Sequence, residues 1–129
     1  IKPSARKRNA DVGRAVNPRD ARGQIEGAVL MGLGTALMEE YLPGLTKGFG
    51  DYYLPTSLST PQIETILVEV PSFQGPFGVK GLGEAAILPT APAILSGISR
   101  VVGTRIRRLP ATPEVVLQAV KAGEQRRTG

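Results

Sequence analysis

From Pro18 onward apolar residues recur at helical spacing. Ile25, Val29, Leu33, Ala36, Leu37 and Tyr41 form one stripe, while Glu26, Glu39 and Glu40 fall mostly elsewhere. The pattern predicts a helix from about Pro18–Asp20 to Leu42-Pro43-Gly44, with Asn17 as cap and Pro18 in its first turn. Gly23, Gly27, Gly32 and Gly34 lie inside it, each costing about 1 kcal/mol relative to alanine. Such a helix makes sense where something approaches its backbone closely. Residues 63–70 (IETILVEV) are rich in β-branched side chains and partly alternate, which predicts a strand ended by Pro71. Residues 48–54 (GFGDYYL) could form another short strand. Thr90, as N-cap, opens a second helix whose Ile94, Ile98 and Val101 face a core and which Gly103 stops. Thr112-Pro113-Glu114 caps a third, carrying Val116, Leu117 and Val120 and closed by Gly123. The expected class is α+β, with three helices packed on a small, mainly antiparallel sheet. Residues 1–10 lack periodicity and read as a basic tail, 11–122 as the folded portion, and 123–129 as a polar, disordered tail.

Between the strand and the second helix lies Gly75-Pro76-Phe77-Gly78-Val79-Lys80-Gly81-Leu82-Gly83-Glu84. Four glycines and a proline exclude an ordinary helix or central strand. A loop remains whose bare backbone can lie against another surface and whose last residue is a single carboxylate. Because the apolar run Ala85-Ala86-Ile87-Leu88 follows, Glu84 is expected at the edge of a buried region, the setting of a general base.

Composition narrows the chemistry. The 129 residues contain neither Cys nor His, so thiolate metal sites, iron–sulfur clusters and a Ser-His dyad built from this chain are excluded. Any redox step needs a group brought from outside. No apolar run approaches the ~20 residues of a membrane span. Ile1-Lys2-Pro3-Ser4 leads into basic residues, unlike a signal peptide, and the absence of an initial Met fits a processed or truncated chain. The net charge of +5 is concentrated at the ends: residues 1–22 hold seven Lys/Arg against two Asp, and 100–129 hold seven against two Glu. A basic face could bind nucleic acid, but no aromatic residues interleave those charges and no reading helix is evident. Two solvated or partner-facing ends are the simpler account.

Three motifs at particular spacings add a resemblance. The first is Asp11-Val12-Gly13-Arg14-Ala15-Val16-Asn17-Pro18 with Gly23-Gln24-Ile25-Glu26-Gly27 and Gly32-Leu33-Gly34. The second is Asp51-Tyr52-Tyr53-Leu54-Pro55-Thr56 with Pro61. The third is Lys80-Gly81-Leu82-Gly83-Glu84, followed by Pro89, Ala91-Pro92-Ala93-Ile94 and Leu109-Pro110-Ala111-Thr112-Pro113-Glu114. Together, from about Asp11 to Val120, they resemble the C-terminal part of the molybdenum-binding large subunit of the xanthine dehydrogenase/aldehyde oxidase family. The resemblance implies part of a larger molybdopterin-binding domain, a cytoplasmic location, and a molybdenum cofactor in plain or dinucleotide form shared with other parts of the enzyme. Neither flavin nor iron–sulfur cluster is expected in this chain itself. It implies Glu84 as the base in hydroxylation of an aldehyde or N-heterocycle with water as oxygen source, and Gln24, Gly81 and Gly83 as cofactor-binding residues. The implied partners are the remainder of the large subunit, iron–sulfur and FAD subunits or domains, and a small-molecule substrate, with no nucleic acid or membrane; exposed glycine-lined surfaces allow self-association. Residues 1–10 do not look like the family's strand before the D-V-G motif.

Plainer readings stand beside these. Glu84 can cap the apolar segment or pair with Lys80, Gln24 can be a surface amide, and Lys80 suits a structural role, satisfying carbonyls or pairing an acid. Asp51, Tyr52 and Tyr53 suit turn and packing roles. Gly32-Leu33-Gly34 is not a dinucleotide fingerprint, because no strand precedes it and its glycines lie within a helix. The alternatives to a catalytic piece are a non-catalytic scaffold subunit of the same fold and a basic anion- or nucleic-acid-binding module.

Overall fold

The computed structural model describes residues 6–128. In order they form β1 (Arg6–Asp11), α1 (Pro18–Leu37), β2 (Ile63–Val68), a 3₁₀ turn (Pro76–Gly78), α2 (Thr90–Val102) and α3 (Pro113–Thr128). The chain divides into two compact units, Ile1–Met31 with Thr56–Leu88, and Gly32–Pro55 with Pro89–Gly129. Helix α1 contributes to both.

In the first unit β1 pairs with β2 in parallel, from Arg6 opposite Ile63 to Asp11 opposite Val68. This corrects two expectations. Residues 6–10 are a strand rather than a tail; their polar composition conceals it, and the pairing comes from a partner far along the chain. Residues 1–5 of the expected tail, like Gly129, lie outside the described residues. The sheet is also parallel, because the connection between its strands carries α1, a crossover that a parallel pair requires. Antiparallel geometry survives, among the described residues, in an isolated bridge between Gly13 and Val79. Along β2, Ile63, Thr65 and Leu67 are half-buried while Glu64, Ile66 and Val68 are exposed, the period-two alternation of a one-sided strand. The expected strand stops at Val68, two residues early. Helix α1 begins as its sequence requires: the Asn17 side-chain oxygen accepts from the N–H groups of Arg19 (3.2 Å) and Asp20 (3.3 Å). Ile25, Ala28 and Val29 are buried, as is Val12.

In the second unit the last turns of α1 bury Leu33 and Ala36. The helix ends at Leu37 rather than Leu42, where Met38 and Glu39 both donate to the Gly34 carbonyl (2.9 Å each). A side chain at Gly34 would collide with Glu39, so the glycine admits this fold-back. Tyr41, the last residue of the expected helical stripe, is exposed beyond the helix. The 48–54 segment is a turn, with Asp51 N–H donating to Gly48 O at 3.0 Å, and not a strand. Its glycines and short length leave no partner ladder. The Tyr52 hydroxyl donates to Glu39 at 2.9 Å, the packing role expected of that residue.

Helix α2 buries Thr90, Ala91 and Ile94. Pro89, not Thr90, occupies the cap position, and Val101 is 85% exposed, against expectation. Gly103 does end it, in the left-handed conformation at φ 75° with its N–H on Ser99 O. Helix α3 touches α2 and continues through Gly123 to Thr128. The expected stop fails because Gly123 serves proximity instead: a Cβ there would lie 2.7 Å from Thr104 Oγ1. Glu124, Gln125, Arg126 and Arg127 are good helix formers and carry the helix on.

Candidate functional site

The first and third motifs meet in space. As β1 ends, Val12 N–H still donates to Val68 O (2.9 Å), and then the chain turns at Gly13, φ 69°. Arg14 N–H donates to Gly78 O (3.0 Å), and Lys80 N–H donates to Val12 O (3.1 Å). The start of the lysine loop is thereby stitched to the strand end. Asp11 reinforces the seam: one carboxylate oxygen accepts from the N–H groups of Gly13 (3.0 Å) and Val70 (3.4 Å), the other from Lys80 Nζ at 2.6 Å. The Lys80 ammonium, and after it the Gly13 N–H, hold the Asp11 carboxyl below its usual range. Glu69 adds a further clasp by accepting the Ala15 N–H at 3.0 Å.

Lys80 therefore pairs an acid, as its structural reading anticipated, but the acid is Asp11 and not Glu84. An Asp two residues before a left-handed glycine signals a local side-chain-to-backbone bond. Nothing in the sequence signals its ion pair with a residue 69 positions away.

Upstream of Lys80 the loop is held tightly. Gly78 has φ 81° and would place a Cβ 3.1 Å from Pro71. Phe77, at φ 53°, is the non-glycine residue among those described with positive φ, and it is 84% exposed. Downstream the loop is bare. Gly81, Gly83 and Glu84 are exposed, and the Glu84 side chain has no hydrogen-bond partner among the described residues. The segment after it is a run of turns, with Ile87 N–H on Glu84 O at 3.1 Å. Ala86 and Ile87 are half-buried, but Ala85 and Leu88 are exposed. The expected buried edge around Glu84 is thus absent among the described residues, because successive turns do not present one continuous apolar face. Gln24 is exposed on α1, its amide unpaired among the described residues. No side-chain bond links it to the Lys80–Glu84 loop.

The glycines divide by cause. At Gly13, Gly34 and Gly78 an added Cβ meets protein atoms. At Gly23, Gly27, Gly81 and Gly83 it would meet nothing within 4 Å, and none has positive φ. The chain's own packing and backbone do not call for glycine at these four exposed positions. Bare backbone facing open space leaves room for a bulky group such as a molybdopterin to come close, a property that the exposed Gly48 and Gly50 share.

Residues 8–61 match the model of a molybdopterin cofactor-binding domain. The chain is 40% identical over 116 residues to the gamma subunit of the 6-hydroxypseudooxynicotine dehydrogenase complex of Paenarthrobacter nicotinovorans, covering 84% of this chain and 15% of that protein. It is 38% identical over 110 residues to a xanthine dehydrogenase molybdenum-binding subunit of Escherichia coli O157:H7, covering 81% of this chain and 15% of the relative. The crystal structure of the aldehyde oxidoreductase from Desulfovibrio desulfuricans superposes with a TM-score of 0.85 at 37% identity, over 90% of this chain and 13% of that one. The chain thus spans about 15% of the curated relatives' length. It belongs to the xanthine dehydrogenase/aldehyde oxidase family of molybdenum-binding subunits.

Proposed function

We propose that this chain supplies the base-bearing loop of a molybdenum-dependent hydroxylase acting on an aldehyde or N-heterocycle. The observation that carries the reading is Glu84, exposed and without a side-chain partner among the described residues, at the end of a loop whose Gly81 and Gly83 face open space. The molybdenum cofactor, when bound, supplies the two-electron oxidant for hydroxylation with water as the oxygen source.

The chain's own residues divide the remaining work. Glu84 takes up the proton released as water's oxygen is committed to the substrate carbon, a role for which its free carboxylate oxygens are available. Gly81, Gly83, Gly23 and Gly27 keep side chains out of the volume the pterin needs. Gln24 offers an amide donor and acceptor beside Gly23 and Gly27 on the exposed side of α1. The covering that dries the site and sets the substrate comes from the rest of the large subunit, with iron–sulfur and FAD subunits or domains taking the electrons, in a cytoplasmic enzyme.

The test is Glu84→Gln in the complete enzyme, which keeps size and hydrogen bonding but removes the basic site. Turnover is expected to fall by about 10²–10⁴, with molybdenum content at wild-type level. Substrate reduction of the molybdenum at a near-normal rate in that variant defeats the reading.

A further inference from the structure

We propose that Lys80 and Asp11 form a positioning pair that sets where Glu84 stands; the proposal rests on Glu84 as base. Between Lys80 and Glu84 run Gly81, Leu82 and Gly83. A Cβ on either glycine would meet nothing within 4 Å, and a glycine-flanked segment has wide backbone freedom. Glu84's own side chain has no partner among the described residues. The Leu82 carbonyl accepts from Ala85 N–H at 3.3 Å, a turn that ties the loop only to itself. The last residue before the base with a hydrogen bond to the strand end is therefore Lys80, held twice: its N–H donates to Val12 O at 3.1 Å, and its ammonium pairs with Asp11 at 2.6 Å.

Asp11 is a suitable anchor because it is itself fixed. Its second oxygen accepts from Gly13 and Val70, and its backbone pairs with Val68 at the end of the parallel ladder. The position of the base is thereby referred to the sheet through one ion pair. Releasing Lys80 lets the loop beyond it sample more conformations, and a displacement of about 1 Å at a reacting group can lower a rate by 10²-fold.

The experiment uses the complete enzyme, with activity expressed per bound molybdenum. Lys80→Met removes the ammonium and keeps the stem. Asp11→Asn keeps an oxygen for Gly13 and Val70 but presents an amide to Lys80, so it preserves the turn where Lys80→Met fails to assemble. Each is expected to lower kcat by about 10–100-fold with KM little changed, and Lys80→Arg is expected to recover most of the loss. In a Glu84→Gln background the same changes are expected to add less than about threefold, because residues acting through one group are non-additive. Undiminished loss in that background assigns the pair a role independent of Glu84 and overturns the proposal. So does full kcat per molybdenum in both single variants, even where molybdenum content falls, since the pair would then only support folding. A Glu84→Gln enzyme that stays active defeats the base reading directly, a result distinct from either.

Discussion

Gly13 lies so close to the lysine loop that a Cβ on it would sit 2.7 Å from the backbone nitrogen of Lys80, with the Gly78 carbonyl oxygen nearer still. Its φ of 69° adds a second requirement for glycine. Gly13→Ala is expected to destabilise the chain by roughly 2–4 kcal/mol, from the left-handed penalty together with overpacking. Gly23→Ala, on the open side of α1, is expected to stabilise it by about 0.5–1 kcal/mol. Urea denaturation of the two variants checks both signs; a Gly13→Ala midpoint at the wild-type value would contradict the close seam.

Thr65 sits on the half-buried face of β2 with its hydroxyl oxygen buried and without a hydrogen-bond partner among the described residues. A buried unsatisfied polar group costs about 1–3 kcal/mol, and valine reproduces the branched shape without the hydroxyl. Thr65→Val is therefore expected to raise the thermal midpoint. A lowered midpoint would mean that the hydroxyl has found a partner, such as an ordered water.

Asp11 and Tyr52 are expected to contribute to the acid and alkaline limits of stability respectively. Asp11 is held below its ordinary value by Lys80 and the Gly13 N–H. Its contribution is thus fully present above the unfolded-state pKa, near pH 4, and disappears as pH falls through the lower folded value. Tyr52 is raised, first by its hydrogen bond to Glu39 and then by burial. Its contribution is fully present below about pH 10 and is lost as pH rises through the higher folded value. Stability profiles of Asp11→Asn and Tyr52→Phe should flatten the acid and alkaline limbs respectively. Unchanged limbs would show that other groups control those losses.

Gln24 and Gly27 lie on the exposed side of α1, where the chain's own packing requires neither. In the complete enzyme Gln24→Ala and Gly27→Ala are expected to lower pterin occupancy without moving the pH optimum of the remaining activity. Gly27→Ala should at the same time stabilise the helix by about 0.5–1 kcal/mol. Parallel pterin analysis and thermal unfolding separate the effects, and wild-type occupancy in both variants returns Gln24 to an ordinary surface amide.

Local rules make much of this chain legible from its sequence alone. Asn17 caps α1 and Pro18 opens it, Ile25, Val29, Leu33 and Ala36 form its buried face, and Gly103 ends α2. Each depends on neighbours within a turn or two, where spacing and backbone preference act directly. The three motifs also mark the family, because their residues and intervals survive in a linear reading. Tertiary contact decides the rest. Arg6–Asp11 is a strand because Ile63–Val68 offers it a ladder, and its own polar residues carry no sign of that partner. Gly123 lies within a helix because Thr104 packs against it, although glycine at that position also reads as a stop. Lys80 meets Asp11 instead of Glu84 because the Gly13 turn brings the strand end beneath the loop. That ion pair joins residues distant along the chain, and only the folded backbone brings their charges within hydrogen-bonding distance.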